Sequence, residues 1–122
     1  MRDHTKLKLF HMVDEIVITT YQITGKFPKE ELYGLTSQMR RAAVSAASNS
    51  VEGCSRSSSA DYRRFIEIAF GSLRELHYQT GLACRLKFID ESVFVKIDEK
   101  FVTAEKTFTA LIKAITIRLI LV

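Results

Sequence analysis

Apolar residues recur along this chain at steps of three and four, the spacing that places side chains on one face of an α-helix. The pattern predicts helices at residues 5–24, 29–53, 59–88 and 92–119. Its clearest instance is the third segment, where an apolar seam alternates steps of four and three through Tyr62, Ile66, Ala69, Leu73, Leu76, Thr80 and Ala83. Strict alternation of apolar and polar residues, the signal for a strand, does not occur. The chain is therefore predicted to be all-α.

Turn-forming residues separate these segments. Gly25 and Pro28 divide the first helix from the second, and Gly53 is predicted to cap the C-terminus of the second helix. Ser58 or Ser59 can cap the N-terminus of the third helix. Because all the connections are short, the segments predict an antiparallel up-down-up-down four-helix bundle, with residues 1–122 as a single domain. Gly71, inside the third segment, is interpreted as a close contact between helices.

Two lines of polar residues run beside the apolar faces. The line on the second helix consists of Gln38, Arg41, Ser45, Asn49 and Glu52. The line on the third helix consists of Ser72, Glu75 and Gln79. If the two helices are antiparallel neighbours, the lines meet, and Arg41 or an arginine of the third helix is expected to pair with Glu52 or Glu75. We interpret the lines as a structural polar network that fixes helix register or subunit contacts; the alternative is a ligand or nucleic-acid surface.

The formal charge of +4 comes from the middle of the chain. Residues 37–87 hold eight basic and four acidic side chains, and seven of the eight are arginine, which suits bidentate contacts to carboxylate or phosphate. Arg56, Arg63 and Arg64 lie beside the serine-rich turn and the start of the third helix, where backbone amides add positive potential. We predict these three as nucleic-acid-binding residues. The alternative is that the arginines form salt bridges within the bundle or an oligomer.

The second and third predicted helices also carry a family resemblance. Its pieces are FPKEELYGLTSQMRRAAVS at residues 27–45, then Asn49, then Glu52 with Gly53, and later AFGSLREL at residues 69–76. In this order and spacing they resemble the four-helix-bundle family of 23S rRNA intervening-sequence proteins. The resemblance extends over nearly the whole chain, although the first and last helices match only in pattern.

That resemblance implies a small bacterial up-and-down bundle that assembles as a ring-like homopentamer. Family members are encoded in some bacteria within insertions in the large-subunit rRNA gene, and their molecular activity is not established. The accessory proteins of diversity-generating retroelements are distantly similar; they are pentameric bundles that bind nucleic acid and a reverse transcriptase. The implied partners are therefore further copies of the chain, nucleic acid, and a reverse transcriptase or other protein.

The chain departs from the family after Ser45. Where the family usually has isoleucine and proline, Ala46 and Ala47 stand here, and Ser50 replaces a typical apolar residue. Proline kinks a helix because it lacks the amide donor and clashes with the preceding turn. The usual kink is therefore expected to be weak or absent.

The sequence does not support several other classes of protein. His4, His11 and His77 lack metal-ligand spacing, and no phosphate-binding loop, dinucleotide fingerprint or nucleophile elbow occurs. The sequence thus predicts no enzyme, metal or cofactor. Cys54 and Cys84 are expected to be reduced, since a chain of 122 residues can bury a sufficient core. Without a recognisable signal peptide or membrane span, a cytoplasmic location is expected.

Together these observations predict a non-enzymatic, homo-oligomeric scaffold whose basic surface contacts the RNA or DNA backbone without reading sequence. No helix-turn-helix, zinc-finger or aromatic RNA-binding signature accompanies the arginines. The alternative function is a protein–protein assembly or accessory factor, for example the partner of a retroelement reverse transcriptase.

Overall fold

The computed structural model describes residues 2–121, which form four α-helices and contain no β-strand. The helices are α1 (Lys8–Thr24), α2 (Leu35–Cys54), α3 (Ser59–Arg85) and α4 (Glu91–Leu121). The predicted all-α class is confirmed, and the arrangement is that of a four-helix bundle. No helix within residues 2–121 has a stretch apolar enough to cross a membrane. Both cysteines are free thiols, Cys54 in the core and Cys84 partly covered.

Where consecutive helices touch, residue numbers rise along one helix as they fall along the other. Residues 45 and 72 touch across α2 and α3, as do residues 53 and 65 farther along. Residues 77 and 105 touch across α3 and α4, as do residues 70 and 108. At the other edge, the side chain of Arg40 near the start of α2 donates to Thr24 at the end of α1. Each helix is therefore antiparallel to the one before it.

The core contains the predicted apolar faces of all four helices. All seven seam residues of α3 are buried. The largest side chains buried to below 2 % exposure are Phe101, Phe108, Leu9, Ile16, Met39, Ile66, Leu73 and Leu76. Burying a side chain of this size stabilises the fold by about 1.5–3 kcal/mol. The α3 seam is therefore central to the core, as its regular spacing predicts.

The first two helices begin later than predicted. Residues 4–6 form one turn of 3-10 helix, and extended backbone at Leu7 separates it from α1. Residues 29–31 form another such turn after Pro28, and α2 begins only at Leu35. Leu32, predicted for the apolar face of the second helix, is instead half exposed. A side chain caps the N-terminus of α2, because Glu31 Oε1 accepts a hydrogen bond from the Leu35 amide at 3.1 Å.

The third helix ends earlier than predicted, at Arg85, and the chain turns at Lys87, whose φ is 68°. Its start agrees with the prediction, since Ser58 Oγ accepts a hydrogen bond from the Asp61 amide at 3.1 Å. The fourth helix is slightly longer than predicted at both ends. Helix ends thus follow local capping contacts that apolar spacing does not reveal.

Two glycines have roles different from those predicted. Gly53 lies inside α2 rather than after it, and a Cβ there would stand 3.1 Å from Phe65 Cβ and 3.3 Å from Tyr62 Cδ1 on α3. Gly71 was predicted as a close helix contact, but a Cβ there would meet nothing within 4 Å. The close approach between helices therefore occurs at Gly53.

Small residues continue this close approach along α2. Ala42, Ala43 and Ala46 are all buried against the neighbouring helices. The helix passes through Ala46 and Ala47 without interruption, as expected in the absence of proline. Ser50 is fully buried, but its hydroxyl donates to the Ala46 carbonyl at 2.8 Å, so this polar group is satisfied within its own helix.

Gly53→Ala and Gly71→Ala are expected to have opposite effects on stability. The Gly53 change forces α2 and α3 apart and should lower the free energy of unfolding by about 1–3 kcal/mol. The Gly71 change adds a helix-favouring residue in open space and should raise it by about 0.5–1 kcal/mol. Urea denaturation of both variants measures the difference. Equal effects of the two changes would contradict the assignment of the close approach to Gly53.

Candidate functional site

The two polar lines meet at the contact between α2 and α3. Ser45 Oγ lies 2.8 Å from Ser72 Oγ, which places one hydroxyl as donor and the other as acceptor. Asn49 Nδ2 donates to the Ser45 carbonyl at 2.9 Å and to Ser45 Oγ at 3.1 Å. All three side chains are partly buried. The centre of the predicted network therefore links the two helices within one chain.

The charged members of the network do not pair as predicted. Glu52 forms an ion pair with Arg56, four residues farther along the chain, and not with Arg41 or an arginine of α3. Within residues 2–121, Arg41 and Glu75 make no ion pair, and both side chains are exposed. The reason is geometric: Arg56 lies just past the end of α2, four residues after Glu52, where its side chain reaches that carboxylate.

A groove follows the line from the serine contact toward the start of α2 and the end of α3. Its lining residues are Gln38, Arg41, Ala42, Ser45, Ser72, Glu75 and Gln79. Gln38 lies at the exposed rim, whereas Gln79 is 6 % exposed. Gln79 Oε1 is buried and has no hydrogen-bond partner. The polar lines thus leave one buried acceptor unpaired.

The three predicted nucleic-acid-binding arginines gather around the turn between α2 and α3. Arg56 and Arg64 both place their guanidinium carbons over the Phe65 ring, at 4.6 and 4.4 Å from its centre. Arg63 Nε lies 2.7 Å from Glu67 Oε1, and Arg64 Nε lies 3.5 Å from Asp61 Oδ1. Each arginine therefore has a local carboxylate. Ion pairs this exposed contribute only about 0–1 kcal/mol, so a phosphate can compete for the guanidinium groups.

Two further arginines, which sequence spacing did not identify, lie at the same end of the bundle. Arg2 Nη1 donates to the Arg56 carbonyl at 3.1 Å, and its guanidinium carbon lies 4.0 Å from the centre of the Tyr62 ring. Arg118, near the end of α4, is close enough for its charge to act on Tyr62. Burial raises the pKa of the Tyr62 phenol, while the charges of Arg2 and Arg118 act to lower it.

This bundle end, hereafter the arginine end, has an excess of positive charge. It comprises Arg2, Arg56, Arg63, Arg64 and Arg118, against the carboxylates of Asp3, Glu52, Asp61 and Glu67. Only the folded chain brings positions 2 and 118 to the α2–α3 turn. Five arginines against four carboxylates leave a small net positive charge there.

A second charged cluster joins α3 to α4. His77 Nδ1 lies 2.7 Å from Glu105 Oε2, and His77 Nε2 lies 2.5 Å from Asp98 Oδ1. The His77 ring also stacks on Phe101, with ring centres 4.6 Å apart. Arg74 Nη1 approaches the other oxygen of Glu105 at 3.6 Å. Only a ring protonated at both nitrogens can donate to both carboxylates at once.

This His77 cluster brings together positions up to 31 residues apart, and nothing in the spacing of the histidines indicated it. Its two carboxylates occupy both ring nitrogens, which makes the cluster a link between helices. Within residues 2–121, no group of three or more His, Cys, Asp or Glu side chains has an arrangement able to hold a metal ion.

A comparison with known protein families gave a match over most of the chain. The model of the family described as "23S rRNA-intervening sequence protein" matches residues 5–110. The chain belongs to this family. The resemblance carried by residues 27–45 and 69–76 is thereby confirmed, and the family match includes the polar lines and all the predicted site residues.

A solved structure agrees with the fold of this rRNA intervening-sequence protein. It is the crystal structure of a protein of unknown function from the S23 ribosomal protein family of Bacteroides thetaiotaomicron, with a TM-score of 0.79. The match covers 86 % of this chain and 95 % of the other at 20 % identity, which shows a common fold alone. A comparison with curated proteins gave no match.

The His77 cluster leads to a stability prediction. His77→Ala removes two hydrogen bonds and an aromatic stack, and it leaves one oxygen of the largely buried Glu105 without its partner. We expect the free energy of unfolding to fall by about 2 kcal/mol or more, measured by urea denaturation at pH 7. His11→Ala is the matched control: this exposed ring bonds to the Thr5 carbonyl and lies edge-on to the neighbouring Phe10 ring, both local contacts, so its loss should change stability by less than about 1 kcal/mol. A His77 variant as stable as the control would show that the cluster does not link the helices.

Proposed function

We propose that this rRNA intervening-sequence protein is a non-enzymatic, homo-oligomeric scaffold that binds the backbone of RNA or DNA without reading its sequence. The observation that carries the proposal is the arginine end, where five arginines gather against four carboxylates. Phosphate contacts supply most of non-specific nucleic-acid binding, and arginine suits them because its guanidinium group donates bidentately. The membership of the chain in a family named for rRNA intervening sequences is consistent with an RNA partner.

The position of Arg63 and Arg64 favours contact with phosphate. Both lie in the first two turns of α3, whose N-terminus is capped by Ser58. Amide groups at such a terminus provide positive potential that adds to the arginine charges. Their ion-pair partners Asp61 and Glu67 are half exposed, so releasing them to water costs little. Contacts of this kind position a nucleic acid but do not distinguish bases.

Exposed apolar residues on α4 support self-association. Val95 and Val102 lie two turns apart on one face and are 57 % and 37 % exposed, and Ile120 near the helix end is 77 % exposed. Exposed apolar side chains of this size are candidates for contact with another protein. The homopentamer that the family resemblance implies would place five arginine ends on one particle, which strengthens binding through multivalency.

The same apolar surface is also what favours the alternative function, an assembly factor whose partner is another protein such as a reverse transcriptase. In that case Val95 and Val102 would contact the partner, and the arginine end would contribute charge to the same interface. The two functions differ in what the purified protein does alone: only the first requires it to bind RNA.

RNA binding is tested with a fluorescently labelled single-stranded 20-mer between 50 and 200 mM salt. Arg63→Ala combined with Arg64→Ala should weaken binding at least tenfold at 50 mM salt. It should also reduce the slope of log affinity against log salt concentration by about 1.4, because each phosphate contact to a single strand contributes about 0.7 to that slope.

The matched control is Arg85→Ala combined with Lys96→Ala, which removes two exposed cations at the opposite end of the bundle. We expect this variant to keep the affinity and salt slope of the unmodified protein within a factor of about 2. If both double variants weaken binding equally, the arginine end is not the binding surface. If the unmodified protein binds no RNA even at 50 mM salt, the alternative function is favoured.

Self-association is tested by sedimentation equilibrium. We expect the protein to have about five times the mass of one chain, and Val95→Lys combined with Val102→Lys to shift it toward the monomer. Thr103→Lys combined with Ala110→Lys is the matched control, since it adds the same charge at the same spacing on a different exposed face of α4. A monomeric unmodified protein, or equal dissociation of both variants, would refute the α4 interface.

A further inference from the structure

A groove between α1 and α4, hereafter the α1–α4 groove, has an apolar floor. Its apolar lining residues come from α1, from the turn after α3 and from α4: Ile23, Phe88, Ile89, Val93 and Ile97. The groove has a volume of about 780 Å³, which lies within the range of small-molecule sites. Apolar side chains from three parts of the chain thus line one space that is large enough for a ligand.

Contacts between elements limit the α1–α4 groove at both ends. At one end, Lys100 on α4 forms an ion pair with Glu15 on α1, which joins the two helices. At the other end, the Phe88 ring packs against the Phe27 ring, with ring centres 5.4 Å apart. The lining residues of α4 run from 93 to 100, so a rise of about 1.5 Å per residue gives a length of about 10 Å. Two helical turns are too few to seat a peptide helix, so the groove suits a small molecule.

Charge is unevenly distributed along this groove. Lys96 and Lys100 lie one turn apart on α4, and of the two only Lys100 pairs with a carboxylate in the described part of the chain. Glu99 lines a neighbouring depression beyond that ion pair. At the other end, the exposed side chains of Lys26 and Asp90 both line the groove, and their charges offset each other. The end at the ion pair is therefore positive, whereas the other end is neutral and holds most of the apolar lining.

This division of charge distinguishes among simple ligands. A small hydrophilic anion would make no use of the apolar floor, and a cation would face the like charge of Lys96. A neutral apolar molecule would leave the Lys96 ammonium group without a partner. A molecule with one negative charge at the end of an apolar chain matches both parts of the groove, because the chain leaves water while the charge is paired.

We propose that the α1–α4 groove binds a medium-chain fatty acid. Its carboxylate accepts hydrogen bonds from the Lys96 ammonium group and the Gln22 side-chain amide, and its alkyl chain lies over Ile23 and Val93 toward Phe88. Burial of the chain supplies most of the affinity, and the lysine sets the orientation of the ligand. The arginine end is at the opposite end of the bundle, so this site does not depend on the nucleic-acid function.

The test uses octanoate, with octanol, octylammonium and acetate as matched probes that change the charge or remove the chain. In ¹H–¹³C methyl spectra, octanoate should cause saturable shifts of Ile23, Val93 and Ile97. Octanol lacks the charge and should bind about tenfold more weakly, and octylammonium, which reverses the charge, should bind more weakly still. Acetate lacks the chain and should cause no saturable shift.

Lys96→Gln is the decisive variant, since this exposed side chain has no part in the core. It should weaken octanoate binding about tenfold and leave octanol binding unchanged. Lys106→Gln is the matched control, because it removes the same charge from the same helix outside the groove, and it should leave both affinities unchanged.

A second pair of variants tests the apolar part of the groove. Val93→Asp places a carboxylate beside the alkyl chain and should weaken octanoate binding about tenfold. Val44→Asp makes the same change on α2 and should leave binding unchanged. Both valines are 42 % exposed, so neither change should unfold the bundle.

Three results would overturn the proposal. The first is the absence of saturable shifts with octanoate, as expected if a partner protein or a second copy of the chain covers the groove. The second is equal binding of octylammonium and octanoate, which would reduce binding to apolar contact alone. The third is equal weakening by Lys96→Gln and Lys106→Gln, which would reduce the effect to overall charge.

Discussion

The close approach of α2 and α3 is the constraint on which the rest of the molecule depends. Gly53, Ala42, Ala43 and Ala46 present little side-chain volume, so the two backbones come near enough for short side chains to touch. The contact between Ser45 and Ser72 is a direct result, because two serine side chains cannot span a gap made by leucine-sized residues. At the end of α2, the same proximity brings Arg56 onto the Phe65 ring.

Polar and apolar contacts are divided unequally among the helix pairs. Between α2 and α3, small residues and hydroxyl groups make the contact, and the outer edge remains an open polar groove. Between α3 and α4, large aromatic side chains such as Phe101 and Phe108 fill the core, and the His77 cluster covers the outer edge. The α2–α3 interface therefore has an open groove at its outer edge. At the outer edge of the α3–α4 interface, the charged groups are already paired with one another.

The sequence predicted the helices better than it predicted the contacts of individual residues. The regular α3 seam was fully informative because burial follows the helical period when every seam position is apolar. The start of α2 was predicted too early. The helix begins after Gly34, where the Leu35 amide donates to the Glu31 carboxylate, and the spacing of apolar residues carries no information about such a contact.

The contacts within the candidate sites were likewise predicted only in part. The meeting of the two polar lines followed from helical periodicity and antiparallel order, and the serine contact agrees with it. The pairing of Glu52 did not follow, since a local partner one turn away competes with any partner on α3. Arg2, Arg118 and the His77 cluster were missed for a further reason: their partners are distant along the chain, and only tertiary structure brings them together.

The contact of Arg56 and Arg64 with the Phe65 ring has a consequence for how this surface binds a ligand. A long flexible side chain loses about 0.5–1.5 kcal/mol of conformational freedom when a partner immobilises it. Two guanidinium groups already resting on one aromatic ring have lost part of that freedom in the unbound protein. The ring thus preorganises the two charges, and a polyanion arriving there encounters groups that are already partly ordered.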